Sequence, residues 1–222
     1  MTAPVAPTLR RLPPWPVLVA GLAVAGLLVA FPPIRLGSKQ AVAATSAAAA
    51  AGAFDAVAFG AEFWRDRLLP AAAAAPAAGP LLADLRRDPA AAARTHGRQV
   101  GLGQAAYYFV RGTGRVTAVE RSRLLVEIDG ATIALRTGPV FGNAVRDGTG
   151  LLEVNQAPGL AEFNALSAEI NRLIEEHVQP ALRAGVAVGA SVTFAGCAEA
   201  PETLPVSGPL LTFIPVSAEV LP

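Results

Sequence analysis

The chain has 222 residues, room for one or two domains with a buried core. Eighteen Lys and Arg against seventeen Asp and Glu leave a net charge of +1, and no basic stripe interleaved with aromatics runs along it, which argues against a nucleic-acid surface. The single cysteine, Cys197, rules out an intrachain disulfide, and with only two histidines the usual Cys/His metal spacing is absent, so no metal site is expected. The hydrophobic fraction of 53% is inflated by alanine runs at 47–51 and 71–75, which read as neutral helix-formers rather than a second membrane span.

Residues 17–31 come first. They are built from Val, Ala, Leu and Gly without a charge, and Arg10 and Arg11 precede them. A spanning helix needs about 20 apolar residues, about 17 at the least, and the stretch from Trp15 to Phe31 just reaches that limit. Trp15 and Phe31 stand where interfacial aromatics sit. A cleaved signal peptide is the competing reading, with Ala41-Val42-Ala43 as the small-x-small site. Arg35, Lys39 and two prolines intervene, and the distance is long for cleavage. The expectation is an uncleaved, single-pass anchor in the inner membrane with the body in the periplasm. Residues 1–40 then form tail and anchor, 41–100 a helical portion, and 101–222 a β-rich portion.

From 44 to 69, Phe54, Val57, Ala61, Trp64 and Leu68 recur at helical spacing, and Pro70 should end the pattern. A short helix carries Leu81, Leu82 and Leu85. Asp88-Pro89 reads as an N-cap followed by proline in the first turn, with Gly97 as the stop. The period then changes. Residues 107–110, 115–120, 124–128 and 132–136 read as short strands, with Gly112-Thr113-Gly114 joining the first two. Asp129-Gly130 is a two-residue hairpin signal, and Leu124, Val126 and Ile128 mark its buried face.

A glycine-punctuated loop follows at 138–147. Residues 151–154 read as a further strand, and 158–178 as an amphipathic helix carrying Leu160, Phe163, Leu166, Ile170, Leu173 and Ile174. Strands return at 186–194 and 210–220. The order of helices, strands, helix and strands predicts an α+β fold with a small antiparallel sheet or barrel.

The loop is the best candidate for a functional surface. Gly138, Pro139 and Gly142 would allow close backbone approach, and Arg146 could grip a carboxylate with Asp147 beside it. The alternative is a buried Arg146–Asp147 pair that serves structure alone. Asn155, Gln156 and Asn171 could bind a ligand or satisfy buried backbone groups. Ser167 and Ser191 lack a nucleophile-elbow context, and Glu175-Glu176-His177 reads as a solvated helix surface. No catalytic residue and no cofactor is expected, so the chain reads as a non-enzyme.

Several stretches together resemble a family of predicted periplasmic lipoproteins of unknown function, often encoded beside sugar ABC-transporter genes. They are Phe54-Asp55-Ala56 with Trp64 and Leu68-Leu69-Pro70, Gly97-Arg98, and Tyr107-x-Phe109 leading to Gly112-x-Gly114-x-Val116. Gly138-Pro139-Val140 with Gly142 and Arg146-Asp147, then Asn155-Gln156, Ser167 and Asn171, complete the set. The resemblance implies a helical portion followed by a barrel of oligonucleotide-binding (OB) type with one inserted helix. It also implies an accessory role in carbohydrate ABC import, with transporter components as partners. Many members carry a lipid-modified cysteine where this chain has Gly37-Ser38, so here the apolar helix would itself be the anchor. A sugar- or sugar-acid-binding module is the alternative, and a hydrolase with spatially paired carboxylates the third choice.

Overall fold

The computed structural model describes residues 54–100, 105–201 and 203–221. The apolar run 17–31, and with it the expected anchor, lies outside them. No helix among the described residues is long and apolar enough to cross a membrane.

The helical portion starts with α1 (Ala56–Phe63), capped by Asp55, whose carboxylate accepts from the Val57 and Ala58 N–H groups at 3.0 Å. A π-helical turn (Trp64–Leu68) carries the chain into α2 (Leu69–Ala74). Pro70 was expected to stop the helix. It sits instead in the first turn of α2, where its missing N–H costs little. The π turn also rotates the apolar stripe. Phe63, Trp64 and Leu68 are buried, whereas Val57, expected in the core, is exposed. Next come α3 (Ala78–Arg87) and α4 (Pro89–His96); Asp88 caps α4 by accepting from Ala91 N–H at 3.0 Å. This portion is stapled to the sheet: Arg111 donates its backbone N–H to Pro76 O and its Nε to Ala75 O.

The sheet contains β1 (Arg98–Gln99), β2 (Ala106–Val119), β3 (Arg123–Ile128), β4 (Ala131–Arg136), β5 (Ser191–Glu199) and β6 (Thr212–Leu221). Its order is β1-β2-β3-β4-β6-β5, and β5 pairs back onto β2 to close a five-stranded barrel. The expected antiparallel sheet needs one correction, because β4 and β6 run parallel. Sequential strands cannot close a barrel of odd number with every pair antiparallel. The strand order and the single parallel contact are those of an OB barrel.

Gly112-Thr113-Gly114 does not separate two strands as expected. β2 runs through it unbroken, pairing with β5 on one side and β3 on the other. A Cβ at Gly114 would overlap the Glu127 carbonyl and stand 2.7 Å from Ile128 Cγ1 and Val126 Cγ1. The glycine permits the tight curl of a strand shared by two neighbours. The hairpin between β3 and β4 matches its signal: Asp129 and Gly130 have φ of 49° and 72°.

Between β4 and β5 lie α5 (Ala144–Thr149), a 3-10 turn (Val154–Gln156), α6 (Leu160–His177) and α7 (Gln179–Arg183). Residues 151–154, expected as a strand, are loop and the start of that turn. Strand β5 begins at Ser191, later than expected, and runs to Glu199. Helix α6 buries Phe163, Leu166, Ile170, Leu173 and Ile174 as its spacing predicts, but Leu160 at its start is exposed. Helix α1 packs on α6, with Gly60 against Glu169 and Trp64 6.3 Å from the His177 ring. Residues Phe54–Pro222 form one compact unit, and one apolar cluster runs from Phe63 and Leu68 through Tyr108, Phe194 and Phe213.

Candidate functional site

The loop after β4 is held by one stripe of the helices that follow it. Arg183 donates its Nε to Thr137 O at 2.6 Å, and Gln179 donates Nε2 to Gly138 O at 2.6 Å. Glu175 accepts from Val140 N–H at 2.7 Å, and Asn171 donates Nδ2 to Gly142 O at 3.0 Å. Ser167 accepts from Arg146 Nη1 at 3.0 Å. These five side chains recur every four residues, so they line one face of α6 and its continuation in α7. The loop runs antiparallel to them, each side chain meeting one point of it.

Arg146 ends that ladder. It is 8% exposed. Its Nε and Nη2 donate to the two Asp147 oxygens at 2.7 and 3.1 Å, and Nη1 donates to Asn164 Oδ1 at 3.2 Å as well as to Ser167. The guanidinium lies 4.3 Å from the Phe163 ring centroid. Four of its five N–H groups are thus taken by protein. Asp147 thus takes the Nε and Nη2 fork of Arg146, the arrangement of the structural pair that was the alternative to a ligand grip.

Gly138 is buried with its carbonyl committed, and a Cβ there would stand 2.8 Å from Ser122 Cβ. Pro139 is exposed. Gly142 has φ 83°, a left-handed turn that favours glycine, and is also exposed. Asn155 and Gln156 belong to the 3-10 turn; Gln156 closes it by accepting from Glu153 N–H at 2.9 Å. Neither lines a cavity described below. Of the eight candidates, Gly142 and Asn171 line one of them together.

Three cavities matter. One of about 420 Å³ lies between the loop and α6, lined by Phe141, Gly142, Asn143, Asn164, Asn171 and Glu175. A second, also about 420 Å³, lies on the other side of Phe141, between Arg136 and the β5–β6 connection. A third of about 710 Å³ is mostly apolar and opens beside Leu85, Ala93, Tyr108, Ala200 and Leu204. Phe141 is 78% exposed and forms a wall shared by the first two. Sequence reasoning passed over Phe141 and Arg136; a lone aromatic between loop glycines was the available signal for the former. Among the described residues, Glu175 is the carboxylate lining the first cavity and Glu199 the one lining the other two. Among the described residues no group of three His, Cys, Asp or Glu gathers as metal ligands do.

Titration behaviour follows burial. Burial raises the Tyr107 phenol above its usual range, with the Glu199 and Asp147 charges adding and Arg146 opposing. Burial alone raises Tyr108. It also pushes the Cys197 thiol far up, so that group is a packing element rather than a nucleophile.

The chain is similar to a crystal structure of an OB-fold protein from Thermotoga maritima. The two share 21% identity over 76% of this chain and 99% of the other, with a TM-score of 0.66. That likeness establishes the fold alone. No curated protein matches in sequence. Residues 21–219 match the family described as predicted periplasmic lipoprotein (DUF2291), which spans barrel, helices and loop alike. The protein therefore belongs to this family of unknown function, whose description gives a periplasmic, membrane-associated location.

Proposed function

We propose that this protein is a membrane-anchored periplasmic accessory to a carbohydrate ABC import system, and that it works by binding rather than by bond chemistry. The observation that carries this reading is the platform at 138–147. A helix ladder holds its backbone rigid, while Phe141 projects from it with 78% of its surface exposed. Exposed aromatics on a preorganised support suit partner or ligand contact. Family membership supports the periplasmic setting. The uncleaved apolar segment 17–31 would be the tether, and intact mass of the native protein reads that out directly.

The test is co-purification of the full-length protein from its own membranes in mild detergent. Enrichment of a sugar permease or its substrate-binding protein is expected, and Phe141→Asp should diminish it. Recovery without either component would count decisively against the accessory role.

The second reading is a small-ligand module for sugars or sugar acids. The two cavities flanking Phe141 favour it, since an aromatic face beside amide and hydroxyl groups suits a ring with apolar C–H faces and polar edges. A thermal-shift series over pentoses, hexoses and sugar acids should raise the melting temperature for at least one class. A flat response throughout would remove this reading.

A further inference from the structure

The cavity between the loop and α6 is lined from two continuous stretches, 140–143 and 164–175. Two of its side chains hold the loop with one polar atom and keep another. Glu175 accepts from the Val140 N–H through Oε1, and Asn171 donates Nδ2 to the Gly142 carbonyl. These bonds fix the backbone on either side of Phe141. The remaining atoms, Glu175 Oε2 and Asn171 Oδ1, accept no hydrogen bond among the described residues, and both stay open to solvent. Asn164 is exposed and gives only its Oδ1 to Arg146. Asn143 is exposed too, and its side chain makes no capping bond to α5. Arg172, the cation in the lining, is held by Glu169 and Glu176. Arg146 is matched by Asp147. The described charges on this stretch of α6 therefore leave Glu175 as a negative excess.

The volume of about 420 Å³ suits a small molecule. We propose that this cavity binds a neutral monosaccharide in its ring form, with Phe141 against its C–H face and Glu175 and Asn171 on its hydroxyls. The inference rests on the ligand-binding reading above and narrows it from sugars or sugar acids to neutral rings. The negative face of the Phe141 ring attracts the weakly positive C–H groups of a pyranose. A ligand hydroxyl donates to Glu175 Oε2 in a charge-assisted hydrogen bond, and a second donates to Asn171 Oδ1. The amide N–H groups of Asn143 and Asn164 donate to ligand oxygens. The charge of Glu175 opposes a sugar carboxylate. An ammonium ligand has donors alone and would leave those amide N–H groups without acceptors.

The experiment titrates the full-length protein by calorimetry, in a detergent without a sugar headgroup. The probes are glucose, galactose, xylose, glucuronate and choline. At least one of the three neutral sugars should bind about tenfold or more tightly than glucuronate or choline. Phe141→Ala should weaken that binding about tenfold and leave the ligand-free melting temperature unchanged, since the side chain is 78% exposed. Glu175→Gln keeps an oxygen for the Val140 N–H. It should weaken the neutral sugar about tenfold and narrow the gap to glucuronate, a ratio that a merely structural role would not move. Glucuronate binding as tightly as the neutral sugars would overturn the neutral assignment and leave the wider sugar reading standing. Neutral-sugar binding untouched by Glu175→Gln would place the ligand elsewhere and overturn the site. Choline binding above every sugar would replace sugar recognition by cation recognition and overturn the proposal. Binding of none of the five would remove both the proposal and the reading beneath it.

Discussion

Arg146 and Asp147 are adjacent in sequence and nearly buried, with side chains 9% and 11% exposed. Removing one partner leaves the other charge uncompensated in a medium that solvates it poorly. Arg146→Met should therefore destabilise the fold by about 3 kcal/mol, read as a drop in urea midpoint. A loss below about 1 kcal/mol would mean the pair behaves as a surface ion pair. The sequence made this pair visible as a motif but left its role open between ligand grip and structural lock. The decision lay with Asn164, Ser167 and Phe163, which are distant in sequence and complete the shell around the guanidinium. Tyr107 and Tyr108 offer a second residue-scale test, since they are the only two tyrosines. Both phenols titrate above their usual range in the folded protein. Above about pH 10 the unfolded chain releases these protons while the folded chain keeps them. Stability is thus fully present below about pH 10 and falls as pH rises beyond it. Phenolate absorbance should show native midpoints displaced upward, and urea midpoints should fall over the same range. Native phenols titrating at the unfolded position would contradict the burial argument.

At the scale of elements, the ladder from Ser167 to Arg183 organises the loop. Gln179 is fully buried, and its amide donates to the Gly138 carbonyl. Gln179→Ala should cost about 2 kcal/mol, because it leaves that carbonyl without its donor. Hydrogen exchange should quicken at 138–142 while β3 and β4 keep their protection. Uniform quickening would instead indicate global destabilisation. The helix itself was legible: Phe163, Leu166, Ile170, Leu173 and Ile174 repeat at helical spacing and are buried. So was the Asp129-Gly130 hairpin, because both positions need positive φ and few residue pairs tolerate it. The elements misread are those whose local signal was overruled by neighbours. Gly112 and Gly114 look like a turn, yet β5 pairs continuously across them from Tyr107 to Arg115. The polar stripe of α6 was also hidden, since nothing local says which loop Asn171 or Glu175 will meet.

On the whole-molecule scale, helices and barrel share one apolar cluster within Phe54–Pro222. They should unfold together. Of the two tryptophans, Trp64 belongs to the helical portion, while the far-ultraviolet signal reports the whole. Urea transitions followed by tryptophan fluorescence and by circular dichroism should coincide for the full-length protein in detergent. An earlier fluorescence transition would show that the helical portion detaches on its own. Sequence by itself determined the α+β class, the buried face of β3, the Asp88 cap and the long amphipathic helix. Each depends on residues within a few positions of one another, where backbone geometry and periodicity dictate the outcome. Only the tertiary structure decided the closure of the barrel through one parallel pair, the pairing of the buried Arg146 with Asp147, and the contacts of its guanidinium with Asn164 and Ser167. Those rest on which distant groups meet, and hydrogen-bond supply at a buried guanidinium is set by neighbours that no local pattern names.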